Sequence, residues 1–408
     1  MRLKDITIFS PQYVGDNIDG DVSFVPMESL RNGTIDYKTI PFLKAKGKYT
    51  YFGNQDLLIA KVTPCFENGN IAIARNLLNG IGFGSSEIFV LRPNKEVISQ
   101  YLFYLSQSRD FQDKACATMC GVGGLKRISP LFMRTYEFDM PSIENQQRMV
   151  TYLDTKLSEI DQQVSLLTSK RDAYLRLKKS IINHAITHGL NPNVKMKDSG
   201  IEWIGEVPEH WEVKRMKDIF FERKELSLTG EEDLLSVSEF YGVARRKDKM
   251  NSDEEFESRA DSLVGYKICK AHDLVINIML AWKTGLGISD NDGIVSPAYA
   301  VYEGRNIASH FYHYLLRSGM YVKEFKRHSK GIIDSRLRLY NDRFNNISAI
   351  YPPLPEQRAI ATYLDDKCAK IDTIVSNLDK QISRYGDLKR SLIDEVITGK
   401  RAVLRTLN

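Results

Sequence analysis

Cysteine is scarce and unevenly placed: five residues, Cys65, Cys116, Cys120, Cys269 and Cys368, in a chain of 408. An odd, scattered set excludes a fully paired disulfide framework, and Cys116 and Cys120 form a lone CxxxC with no second pair at zinc-ligand spacing. All five read as reduced thiols. No run reaches the ~18–20 consecutive apolar residues that a membrane helix needs. The stretch from Met1 to Gln12 has no apolar core behind a basic head, so it is not a secretory signal, and a cytoplasmic protein is expected. A strong charge excess is missing too: 57 Lys and Arg against 52 Asp and Glu leave +5. That balance permits a nucleic-acid partner without demanding one.

Catalytic signatures are also lacking. There is no GxGxxG after a strand, no GxxxxGK[ST], no HExxH and no GxSxG. An adenine methylase would carry an Asn- or Asp-Pro-Pro-aromatic loop; Asn191-Pro192-Asn193 and Tyr351-Pro352-Pro353-Leu354 do not fit. Gly121-Val122-Gly123-Gly124 could cradle a phosphate, but no Walker Lys-Ser/Thr follows. The Glu-x-Lys tripeptides at Glu212 and Glu222 are of a kind that chance supplies. His184 and His188, one turn apart at an expected helix end, fit cation placement at a C-terminus as well as metal ligation. No catalytic, cofactor-binding or metal-binding residue is assigned.

What is present is a repeat. Residues 141–187 and 352–398 align without a gap at a constant offset of 211, with 19 identities in 47 positions. Each reads as one long helix, opened by proline and closed before Gly189 or at Gly399. In the first, Leu153, Leu157, Ile160, Val164, Leu167, Arg171, Tyr174, Lys178, Ile181 and Ala185 fall in steps of four and three. In the second, Leu364, Cys368, Ile371, Val375, Leu378, Ile382, Tyr385, Lys389, Leu392 and Val396 do the same. Both are a/d heptad stripes. The sequence therefore predicts that the two copies pair as an antiparallel coiled coil within one chain. Arg171, Lys178 and Lys389 occupy core-like slots, where they snorkel or mark an opening toward a partner.

The regions between the helices also repeat, with short β-rich runs between Gly, Asn and Asp. Asp56–Val62 resembles Asp273–Ile278, Ser85–Leu91 resembles Ser296–Tyr302, and the helical Tyr101–Leu105 resembles Phe311–Leu315. The chain length calls for more than one core. The expected fold is α+β: two α/β modules alternating with two long helices, in a pseudo-twofold repeat. The expected limits are 1–140 for the first module, 141–188 for the first helix, 189–211 for a linker, 212–350 for the second module, 351–399 for the second helix and 400–408 for a tail.

The framework repeats better than the loops, as in two recognition modules with one fold and different targets. The loops carry the basic residues: Lys44, Lys46 and Lys48 beside Tyr49 and Tyr51; Lys126 and Arg127; Arg245, Arg246 and Lys247 with Lys249; then Lys330, Arg336 and Arg338. Lys and Arg interleaved with Tyr, Asn and Gly suit phosphate and base-edge contacts.

Three features carry a family resemblance. They are the helix openings Pro352-Pro353-Leu354-Pro355-Glu356-Gln357-Arg358 and the weaker Pro141-Ser142-Ile143-Glu144-Asn145-Gln146-Gln147, each running into Tyr-Leu-Asp and Ile-Asp; the linker from Gly189 to Trp211; and the module order. The chain resembles the specificity subunit of a type I restriction–modification system. The resemblance implies that each module is a target recognition domain reading one half of an asymmetric bipartite site on double-stranded DNA. It implies that the paired helices fix the half-site spacing and dock two modification (methyltransferase) subunits. Those would supply S-adenosylmethionine, and two restriction subunits could add ATP and Mg chemistry; this chain would hold no cofactor. The competing readings are a coiled-coil scaffold binding protein, a stand-alone DNA-binding regulator and an enzyme fused to recognition modules.

Overall fold

The computed structural model describes residues 1–122, 124–249 and 262–401, with the backbone alone at Lys249. Gly123 of the glycine cluster, the Lys249 side chain and the tail beyond 401 lie outside the described residues. The chain forms two compact units, one of Met1–Ser169 with the chain from Leu378 onward, the other of Lys170–Asn377.

In the first unit the strands used below are β1 (Thr7–Phe9), β2 (Leu57–Ala60), β3 (Ile71–Ile73), β4 (Ile88–Pro93), β5 (Cys120–Val122) and β6 (Leu125–Arg127). The helices are α1 (Ser99–Gln107), α2 (Arg109–Ala117) and the 46-residue α3 (Ile143–His188). β1, β4, β2 and β3 lie side by side in that order, all antiparallel. Every residue of β2 is buried, as expected of an apolar run with no polar alternation. A second four-stranded sheet (Lys38–Pro41, Asp21–Val25, Ile81–Gly84, Thr50–Gly53) contains one parallel pair.

The second unit repeats the plan. Its strands are β7 (Phe220–Glu222), β8 (Leu235–Ser238), β9 (Gly242–Arg245), β10 (Leu274–Ile276), β11 (Leu286–Ile288) and β12 (Ala300–Gly304). Its helices are α4 (Ser309–Leu316), α5 (Gly319–His328) and the 44-residue α6 (Leu354–Ile397). The sheet order β7-β12-β10-β11 is that of β1-β4-β2-β3, again antiparallel throughout. The counterpart helices α2 and α5 are both capped by serine: Ser108 and Ser318 accept from the backbone N–H groups of Phe111 and Tyr321.

The two long helices each contribute to both units. At 1.5 Å per residue they are about 69 and 66 Å long. In the first unit Asp161 faces Lys389, and Tyr152 faces Arg401, so the segments run antiparallel. In the second, Asp372 faces Lys178, and Glu356 lies beside Gly189, with the same sense. None of the twenty heptad residues is exposed. Leu153, Leu157 and Ile160 join Leu392, Ile393 and Val396 in the core of the first unit; Ala185 and Ile186 join Ile360 and Leu364 around Trp211 in the second. Each buried Leu, Ile or Val among them stabilises by about 1.5–3 kcal/mol. Farther from those cores the stripe is only half-buried, at Val164 and Leu167 in the first unit and at Tyr174 and Val375 in the second. A two-helix ribbon has no third face to cover it there.

One buried side chain fixes each helix opening to its module. Gln146 donates from Nε2 to the carbonyls of Pro141 and Glu96 and accepts from the Ile98 N–H at the start of α1. Gln357 donates to the carbonyl of Pro352 and accepts from the Ala308 N–H at the start of α4. Both are fully buried. No helix among the described residues is long and apolar enough to cross a membrane.

Candidate nucleic-acid interface

In the first unit the basic loop at 44–48 is built on a one-turn helix, Phe42–Ala45, whose Phe42 and Ala45 are buried while Lys44 points outward. Lys46 is committed within the chain. Its Nζ donates to Asn17 at 2.9 Å and lies 5.5 Å from the rings of Tyr13 and Phe42. Gly47, at φ +75°, turns the chain in the left-handed region that glycine adopts freely. Lys44 and Lys48 are exposed, with no ion pair among the described residues.

Lys126 and Arg127 sit together on the β5–β6 hairpin but act differently. Arg127 makes a two-pronged contact with Glu87, Nε and Nη2 each 2.9 Å from a carboxylate oxygen. That guanidinium holds the Glu87 carboxyl below its usual range. Lys126 is exposed and is tied to Thr63 through its backbone, where its N–H donates to Thr63 Oγ1 and its carbonyl accepts from the Thr63 N–H.

In the second unit Arg245 and Lys247 converge on one carboxylate. Lys247 Nζ is 2.7 Å and Arg245 Nε 3.3 Å from Asp233, whose carboxyl is held low by Lys247 first and Arg245 after it. Arg246, between them, is exposed, and its N–H donates to the Leu234 carbonyl. The hairpin that carries them, β8–β9, is tied down at its turn by Arg317 of the second module. Arg317 donates to the carbonyls of Glu239, Phe240, Thr284 and Leu286 at 2.7 to 3.2 Å.

Lys330 and Arg338 close a loop with two mutual backbone hydrogen bonds of 2.9 Å. The Arg338 guanidinium turns back onto the carbonyls of Ser335 and Leu337. Lys330 and Arg336 are exposed, with no ion pair among the described residues. Lys330 also rims a depression of about 380 Å³ with Arg327, His328 and Arg343. Buried Glu324 accepts from both Arg327 and His328 there, which leaves that rim less positive than its sequence suggests.

The structure thus splits ten of the eleven basic residues, Arg246 standing exposed between the two that meet Asp233. Lys44, Lys48, Lys126, Lys330 and Arg336 present cations outward. Lys46, Arg127, Lys247 and Arg338 spend hydrogen-bonding capacity on shaping their own loops, and Arg245 is held by its ion pair with Asp233. Sequence reasoning missed Arg317 and the two glutamines; the matched Pro-x-x-x-x-Gln spacing was the available signal for the latter. Elsewhere, His184 and His188 stack on each other at 4.8 Å. No group of three His, Cys, Asp or Glu among the described residues could hold a metal ion. Arg223, in one of the Glu-x-Lys tripeptides, is a structural partner of buried Asp273 at 2.6 Å.

Comparison with known proteins agrees with this twofold plan. The Escherichia coli type I restriction enzyme EcoAI specificity subunit is 30% identical over 184 residues, 44% of this chain, and the chain spans only 31% of that relative. The type I restriction enzyme MjaVIII specificity subunit of Methanocaldococcus jannaschii is 22% identical over 404 residues, 95% of this chain and 88% of its own. A solved chain from work on complex assembly and conformational transition of the type I R-M system shares the fold, with a TM-score of 0.74 at 15% identity, over 98% of this chain and 97% of that one. The model of the type I restriction modification DNA specificity domain matches twice, at residues 8–166 and 208–384, and the chain belongs to that family.

Proposed function

We propose that this chain is the DNA sequence-recognition subunit of a type I restriction–modification complex, in which each module reads one half of a bipartite site. One observation carries the reading: the specificity domain occurs twice, on one framework, with different basic loops. Different loops on equal frameworks imply two different half-sites and hence an asymmetric full site. In this reading residues 1–140 and 212–350 are the target recognition domains, and 189–211 is the linker between repeats. Lys44, Lys48 and Lys126 of the first and Lys330 and Arg336 of the second face phosphates. Loops shaped by Lys46, Arg127, Arg245, Arg246, Lys247 and Arg338 face base edges.

The helices α3 and α6 act as a ruler whose length sets the half-site separation, since a turn of B-DNA spans about 34 Å. They also dock two modification subunits. Adenine methylation requires the base to leave the stack, a step that falls to those partners and their S-adenosylmethionine. This chain supplies register and sequence choice and no catalysis. ATP and Mg act on restriction subunits where these join, and the complex works in the cytoplasm, on chromosomal or invading DNA.

The test is long-read sequencing of DNA from a methylation-free host that expresses this chain with its modification subunit. A split motif carrying N6-methyladenine, absent when this chain is omitted, is the expected result. A soluble complex that leaves no new methylation overturns the reading in favour of a protein-binding scaffold.

A further inference from the structure

In both modules the loop after the second short helix ends in an apolar side chain that touches almost nothing. Val122 is 89% and Ile332 is 99% exposed, and each is followed by another outward apolar residue, Leu125 and Ile333, both 53% exposed. A single exposed apolar residue needs no explanation. These two occupy the same place in two copies of the fold. They lie 210 positions apart, as do the helix caps Ser108 and Ser318.

The construction around them matches as well. Each follows a glycine, Gly121 or Gly331, at which a Cβ would lie 2.1 Å from the Leu125 carbonyl oxygen or 2.6 Å from that of Arg336. Only glycine lets the two limbs of the loop cross so closely. Each loop is rooted beyond its tip by a buried residue. Ile128 donates its N–H to the Lys61 carbonyl at the end of β2, and Leu339 donates to the Ile278 carbonyl just beyond β10. The root is fixed and the tip is bare. Exposed cations stand beside it: Lys126 in one loop, Lys330 and Arg336 in the other.

We propose that Val122 and Ile332 are apolar reading heads that leave water against the bases of duplex DNA, each in the half-site of its own module. Resting on the recognition reading above, this inference adds the residues through which part of the sequence is read. The neighbouring cations favour a polyanion over an apolar protein surface. A β-branched side chain at a narrow tip can meet a thymine methyl group in the major groove or wedge against a base step. It has few rotamers to lose on burial. Polar side chains would carry the remaining base contacts.

The experiment uses the full chain in complex with its modification subunits and a duplex library randomised across the site, sequenced after selection. Ile332→Ser should lower discrimination about tenfold at one or two adjacent positions of one half-site and leave the other untouched. Val122→Ser should do the same in the other half-site, and Ile332→Leu should retain selection. The slope of affinity against salt should not change in any of the three, because no cation is removed. Both tips are solvent-exposed, so thermal melting should match the parent protein. Serine variants that select the same split sequence as the parent overturn the reading-head proposal alone. A parent complex that selects no sequence overturns the recognition reading, and this proposal with it.

Discussion

Lys178 donates to both carboxylate oxygens of Asp372, at 2.6 and 2.7 Å, across the helix pair of the second unit. Its repeat counterpart Lys389 donates to Asp161, the counterpart of Asp372, at 2.5 Å in the first unit. The doubled sequence therefore makes the same ion pair twice. These lysines occupy heptad slots where an apolar residue would be expected, and each is answered by an aspartate on the opposing helix. A charge in the seam specifies one register and one antiparallel partner, because a shift by a heptad strands both groups.

A double-mutant cycle tests the pairing. The lysines are a quarter to a third exposed and the aspartates more than half, so solvent screens the attraction and the coupling should be about 0.5–1 kcal/mol. Lys178→Asp alone should destabilise, and Lys178→Asp with Asp372→Lys should recover most of the loss. Urea unfolding of the four proteins gives the coupling energy. A coupling of zero would remove the register role.

The glutamines predict a larger effect. Gln357→Ala would strand the Ala308 N–H and the Pro352 carbonyl in a dry site, and Gln146→Ala would do so at Ile98, Glu96 and Pro141. An unsatisfied buried group costs about 1–3 kcal/mol. Hydrogen exchange should speed up at the start of α4 in the first variant and at the start of α1 in the second, each leaving the other module unchanged. Equal exchange in the variants and the parent would mean that the clamp is dispensable.

Much of this was legible in the sequence, and the reason differs by feature. The helix stripe was legible because heptad spacing is a one-dimensional record of burial, and all twenty positions escape full exposure. The module repeat was legible because apolar runs such as Leu57–Ala60 and Leu274–Ile276 are dictated by a buried central strand. The split among the basic residues was not. Whether Arg127 faces solvent or Glu87, 40 positions away, depends on loop geometry that no local pattern encodes. Arg317 was hidden for the same reason, since its acceptors are backbone carbonyls and leave no trace in residue type.

Acid should weaken the second module through His313. This side chain lines a cleft with Arg317 and Tyr241, and its Nδ1 accepts from the Ile288 N–H. Lost hydration, then the neighbouring Arg317 charge, push its pKa from 6.5 down to about 3. Between those values the unfolded chain binds the proton and the folded one does not. The stability contributed by neutral His313 is therefore complete above pH 6.5 and is lost as pH falls toward 3. The urea midpoint should drop more steeply from pH 7 to pH 4 in the parent than in His313→Gln. Parallel curves would show that His313 is hydrated and titrates normally.

The division of the basic residues makes the sharpest prediction for DNA binding. Each cation that neutralises a phosphate adds about 0.9 to the slope of log affinity against log salt. Neutralising Lys44, Lys48, Lys126, Lys330 or Arg336 to Gln should lower that slope by about one contact each and weaken all sequences alike. Arg127→Gln and Arg338→Gln should behave otherwise, because these guanidiniums hold Glu87 and the loop carbonyls of Ser335 and Leu337. Their loss should loosen a loop and reduce sequence discrimination while the slope changes little. Titrations of the full complex with cognate and scrambled duplexes at several salt concentrations separate the two behaviours. If Arg127→Gln lowers the slope as Lys126→Gln does, then Arg127 leaves Glu87 for a phosphate on binding, and the division drawn from the free chain does not survive contact with DNA.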